Sequence, residues 1–68
     1  MLPQLTSRER QILDLAARGY GNHRIARDLV VAEKTVRNHM SRILDKMQVE
    51  TRAEAVARAR DAGLGDRS

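Results

Sequence analysis

"AEKTVRNHMSRILDK" (Ala32–Lys46) decides how this chain folds. Its apolar side chains Val36, Met40, Ile43 and Leu44 recur at helical spacing. With Val36 at the centre of the stripe, Met40, Ile43, Leu44 and Met47 fall within about a quarter-turn of it. Lys34, Arg37, Asn38 and Ser41 fall on the opposite side, and Thr35, Arg42 and Lys46 lie along one flank. One helix therefore carries a dry stripe backed by a face of hydrogen-bond donors. It begins at Ala32, where a helix ordinarily has a capping Ser, Thr, Asp or Asn.

Working outward, three more helical segments can be drawn. The first opens at "TSRE" (Thr6–Glu9), a capping box in which Thr6 caps the helix and Glu9 reaches back. Ile12, Leu13, Ala16 and Ala17 give it an apolar face, and Gly19 ends it as a left-handed cap. The second carries Ile25, Ala26 and Leu29 on one side, followed by a short apolar connection, Val30 and Val31. The last opens at "TRAE" (Thr51–Glu54), a second capping box, and ends near Gly63. The expectation is an all-α fold with helices over about 7–18, 22–29, 33–47 and 52–62, forming a single domain over 1–68. Only Val30 to Ala32 separate the second and third helices, so they must cross steeply, as in a helix-turn-helix. "GLGDRS" (Gly63–Ser68) reads as a frayed end.

Composition bounds the rest. A 68-residue chain buries only about 60% of its unfolded surface, and with no Cys it has neither disulfides nor thiolate metal sites to stabilise it. Tyr20 is the only aromatic residue, so the core is built from Leu, Ile, Val, Met and Ala. Thirteen Lys and Arg against nine Asp and Glu give a net charge of +4, which favours polyanions. No apolar run approaches a membrane span and no secretion signal is visible, so the chain reads as cytoplasmic.

The donor face of the third helix suits duplex DNA. Arg donates in bidentate fashion to guanine, Asn pairs with adenine and Ser serves either, while Lys, Thr and Arg on the flank suit phosphate oxygens. The bland alternative is an ordinary solvated helix face; against it stand the short turn before the helix and the basic chain. Beyond Glu33 the only acid on this helix is Asp45, at its far end. His39, at the edge of the apolar stripe, reads as a packing or backbone-contacting residue, and His23 has no co-ligands for a metal. Two His, no Cys and no glycine-rich phosphate loop leave no nucleophile-and-base constellation, so the chain does not read as an enzyme. Asp14, Asp28 and Asp45 read as single members of solvated faces.

Leu5–Leu64 as a whole resembles the LuxR-type helix-turn-helix domain of NarL/FixJ-like bacterial transcription regulators. The likeness rests on "LTSRE" (Leu5–Glu9), the Gly19 break, "IA" (Ile25, Ala26), "KTVRNH" (Lys34–His39), "ILDKM" (Ile43–Met47) and "TRAEAV" (Thr51–Val56). It implies a four-helix DNA-binding domain that dimerises on pseudo-palindromic promoter sites with its third helix in the major groove. Lys34, Arg37, Asn38 and Ser41 are then the expected base contacts. Asn22, His23, Thr35, Arg42 and Lys46 are the expected phosphate contacts. Ala53, Val56, Ala57 and Arg60 of the fourth helix are expected at the dimer interface. The implied partners are double-stranded DNA, a second copy of the chain and RNA polymerase, with no cofactor and no membrane.

Two departures stand out. The family places Ser or Thr, with Glu three residues on, at the start of the second helix; here those positions are Gly21 and Arg24. It places Ser before the third helix; here it is Ala32, a cap poorer by about 1 kcal/mol, partly offset by Glu33 in the first turn. Either the freed amides are left for phosphate oxygens, or the substitutions are neutral drift. Such domains usually end a longer regulator, and the chain reads as an excised DNA-binding domain rather than a free-standing regulator. The rival readings are a sigma-factor region-four-like promoter-recognition domain, disfavoured by the fourth helix, and a helical protein-interaction module.

Overall fold

Local signals set the four helices where the periodicity places them, to within a residue. The computed structural model describes residues 4–65. Its elements are α1 (Ser7–Ala17), α2 (Asn22–Leu29), α3 (Glu33–Met47) and α4 (Arg52–Asp61). At the start of α1 the expected box is complete: the Thr6 side chain accepts from the Glu9 N–H, and the Glu9 carboxylate accepts from the Thr6 N–H. At α4 it is half made. Thr51 accepts from the Glu54 N–H, but the Glu54 carboxylate takes the Thr51 hydroxyl and not its backbone N–H.

All four helices end alike. A residue with positive φ (Gly19, Val30, Gln48 or Gly63) follows each one, and the apolar residue after it donates its N–H five residues back. Those donors are Tyr20, Val31, Val49 and Leu64, bonded to the carbonyls of Leu15, Ala26, Leu44 and Ala59. This is the Schellman arrangement, which satisfies the last carbonyls of the helix and turns the chain back onto the core.

α1 packs on α2, α3 and α4, and α3 packs on α2 and α4. Ile12 and Leu13 of α1, Ile25 of α2, and Val36 and Ile43 of α3 are fully enclosed. Ala55 and Ala59 of α4 are also at 0% exposure, so α4 lies close against its neighbours through small side chains. Truncating Ile43 to Ala would cost roughly 2–5 kcal/mol, a large share of what so small a chain can have.

Three expectations need correction. Val30 and Val31 do not form a joint apolar connection: Val31 packs against the core, whereas Val30 is 88% exposed. The left-handed turn at Val30 points that side chain out so that Val31 can turn in. Of "GLGDRS", Gly63–Gly65 are docked and not frayed, while residues 66–68 lie outside the described residues. Leu64 packs on the core, and the Gly65 N–H donates to the Asp14 carboxylate at 2.7 Å. A Cβ at Gly65 would sit 2.7 Å from that of Ala17, so only glycine allows this approach. Asp14 is consequently no solvated bystander, since it also pairs with Arg18 at 2.7 Å.

Candidate nucleic-acid interface

The stripe of α3 that faces inward is dry: Val36, Met40, Ile43 and Met47 are at most 6% exposed. On the other side Lys34, Arg37, Asn38, Ser41 and Arg42 are all exposed, and Thr35 is half-buried at the border. The five exposed side chains carry no core packing. Among the described residues only Arg37 has an ion-pair partner, a loose contact of 3.9 Å to Glu33. His39 lies half-buried at the edge of the stripe with its Nδ1 closed off from solvent, the place expected of a packing residue.

Of the other expected phosphate contacts, Lys46 and Asn22 are tied to other helices of the fold, and His23 makes only a surface contact. Lys46 donates to Glu9 at 2.7 Å, and the Glu9 side chain is only 4% exposed. Its pKa is lowered, first by the Lys46 hydrogen bond and then by the Thr6 N–H, against the opposing effect of burial. This pair ties the end of α3 to the start of α1. Asn22 is half-buried and accepts from Arg52. His23 is exposed, with Nδ1 3.1 Å from the Glu33 carboxylate.

Neither helix of the reading unit has a side-chain cap: Gly21 and Ala32 are extended at the cap position and make no such bond. Arg24, in place of the usual acid, stacks its guanidinium 3.7 Å from the centre of the Tyr20 ring. The first amides of both helices are therefore left without a side-chain cap; the start of α2 has no acid in its first turn and suits anions, whereas the start of α3 carries Glu33.

On α4, Ala53 and Ala57 are exposed and Val56 is half-buried. Ala53, Val56 and Arg60 line a shallow groove of about 390 Å³ together with Tyr20 and Arg52. Arg60 is not wholly free, because its Nε donates to the Ala17 carbonyl at 2.8 Å. Arg52 behaves likewise toward the Tyr20 carbonyl at 2.7 Å. Both arginines close the C-terminal end of α1, which has no basic residue of its own in its last turn. Sequence reasoning missed Arg52 and Glu33 as members of this region. Arg52 had no local signal, whereas Glu33 was visible as an acid four positions before Arg37.

Among the described residues no group of three His, Cys, Asp or Glu could hold a metal ion, and no helix is long and apolar enough to cross a membrane.

Comparison with known proteins gives this geometry its context. Residues 3–59 match the bacterial regulatory proteins of the luxR family. The chain belongs to that family. It is similar to the transcriptional regulatory protein DesR of Bacillus subtilis, with 42% identity over 59 residues, covering 87% of this chain and 30% of DesR. It shares 50% identity over 52 residues with the nitrate/nitrite response regulator protein NarL of Escherichia coli, covering 76% of this chain and 24% of NarL. The spore germination protein GerE of Bacillus subtilis is 43% identical over 54 residues, covering 79% of this chain and 73% of GerE. The chain thus spans under a third of the two longer relatives and nearly three quarters of the short one.

Proposed function

We propose that this chain binds double-stranded promoter DNA sequence-specifically, as the DNA-binding part of a bacterial transcription regulator in the cytoplasm. One observation carries the reading: α3 buries one stripe completely and leaves Lys34, Arg37, Asn38, Ser41 and Arg42 exposed on the other side. With α3 in the major groove, Arg37 donates to guanine O6 and N7, and Asn38 pairs with adenine. Lys34 and Ser41 meet neighbouring base edges. Thr35, Arg42, His23 and Asn22 contact the backbone and fix the register without reading sequence. The uncapped starts of α2 and α3 add amide donors for phosphate oxygens. Lys46, held by Glu9, contributes positive charge at the rim and two further N–H bonds.

Pairing on DNA goes through α4. Ala53, Val56, Ala57 and Arg60 present a small-residue surface to a second copy, and two-fold symmetry then demands a pseudo-palindromic site with a half-site for each chain. That surface is modest, so the free chain is a monomer at micromolar concentration and pairs on its site.

Selection from random duplex DNA tests the reading directly. A single enriched motif with an inverted repeat is expected, bound with an affinity that falls steeply with salt as neutralised phosphates release counterions. Absence of an enriched motif, or an affinity indifferent to salt, overturns it.

A further inference from the structure

Glu33 is the only acid at the leading end of the donor face, and it is occupied twice over. Its Oε2 lies 3.1 Å from Nδ1 of His23, and its Oε1 lies 3.9 Å from Nη1 of Arg37. One carboxylate thus meets His23 at hydrogen-bond distance with one oxygen and keeps Arg37 within loose ion-pair reach of the other. All three are well exposed, at 80% for His23, 46% for Glu33 and 58% for Arg37, so the contacts contribute little to the fold. An acid in the first turn offsets part of the missing cap at Ala32, but that role makes no demand on His23 or Arg37.

We infer that Glu33 is a specificity-determining residue, which holds Arg37 back from phosphate and releases it only to a base edge able to take both of its donors. The inference rests on the DNA-binding reading above. On an arbitrary duplex, Arg37 has two uses, a phosphate oxygen or Glu33, and the negative charge of Glu33 also repels the backbone. Non-specific binding is thereby weakened. At the right base pair guanine offers a planar bidentate acceptor, which a lone phosphate oxygen does not match, and Arg37 exchanges partners. Repulsive elements of this kind sharpen discrimination because they weaken wrong complexes more than right ones.

The test compares Glu33→Gln with the unaltered chain on two duplexes: the site enriched by selection, and a scrambled sequence of equal length. Gln keeps the shape and removes the charge at an exposed position. Affinity for the scrambled duplex should rise about three- to tenfold and affinity for the selected site by about twofold or less, so that their ratio shrinks. The salt slope on the scrambled duplex should steepen by about one phosphate contact, because Arg37 is now free to make it. An equal gain on both duplexes, with unchanged slopes, overturns the inference and leaves the DNA-binding reading intact. Loss of affinity on the selected site with relaxed preference at a C·G pair also overturns it, since Glu33 would then be accepting from cytosine directly. An unaltered chain that enriches no site overturns the DNA-binding reading itself, and the inference with it.

Discussion

Lys46 and Glu9 stand 37 positions apart in the chain and meet at 2.7 Å, Nζ to Oε1, with the carboxylate almost closed to water. The same carboxylate accepts the N–H of Thr6, so one acid caps α1 and anchors α3. Lys46→Met should leave a buried carboxylate short of a partner and cost about 1–3 kcal/mol, read as a lower urea midpoint. Acid provides a second readout. Glu9 binds its proton less readily in the fold than in the unfolded chain, so its contribution is full above its ordinary value of 4.5 and is lost as pH falls through the lowered value. Thermal midpoints of the unaltered chain should fall below that pH, and those of Lys46→Met should fall less. Parallel curves would show that the pair is electrostatically idle.

Arg37→Ala should weaken binding to the selected site by about 1–3 kcal/mol and relax preference at one base position. Arg37 makes no core contact, so the denaturation midpoint should stay put. Fluorescence anisotropy on a panel of single-base variants checks both. Uniform loss across the panel would move Arg37 to the phosphate contacts.

Ala57→Glu should spare folding, because the side chain is exposed, and should abolish cooperative binding to a full two-fold site. Binding to an isolated half-site should change little. Sedimentation showing a tight dimer that survives this change would place the pairing surface elsewhere than on α4.

Ala32→Ser should cap α3 and raise stability by about 0.5–2 kcal/mol. If phosphate uses the open amides, the new hydroxyl occupies one of them and the dissociation constant rises at fixed salt. If it does not, affinity stays level. A change in neither stability nor affinity would mean that serine fails to cap there.

Much of this was legible in the sequence, and the limit is physical. Helix spans and the buried stripe of α3 follow from periodicity and capping signals, which act over a few residues. Gly19 announced its left-handed turn and Gly63 the end of its helix, whereas Val30 and Gln48 adopt the same turn with side chains that do not favour it. The ties between helices were out of reach. Lys46 to Glu9, Arg60 to Ala17 and Arg52 to Tyr20 bridge 37, 43 and 32 positions, and each depends on how helices pack before any side chain can choose a partner. That is also why Lys46 and Arg60, read as surface contacts, prove to be employed within the fold. The exposure of the donor face was readable because none of its side chains is needed in the core, and its one internal ion pair, Arg37 with Glu33, lies within a single turn of the same helix.

Val30 places a β-branched side chain in the left-handed region at φ 58, a conformation that costs an L-residue about 1–2 kcal/mol, and it buries almost none of that side chain in return. A valine codon becomes a glycine codon by one base change. The protein thus stands a single mutational step from a more heat-resistant form: Val30→Gly should raise stability by about 1 kcal/mol, as a higher thermal midpoint. A library of random point mutants screened for survival on heating should recover position 30 among its first hits. Its absence would mean that the turn relaxes around valine at little cost.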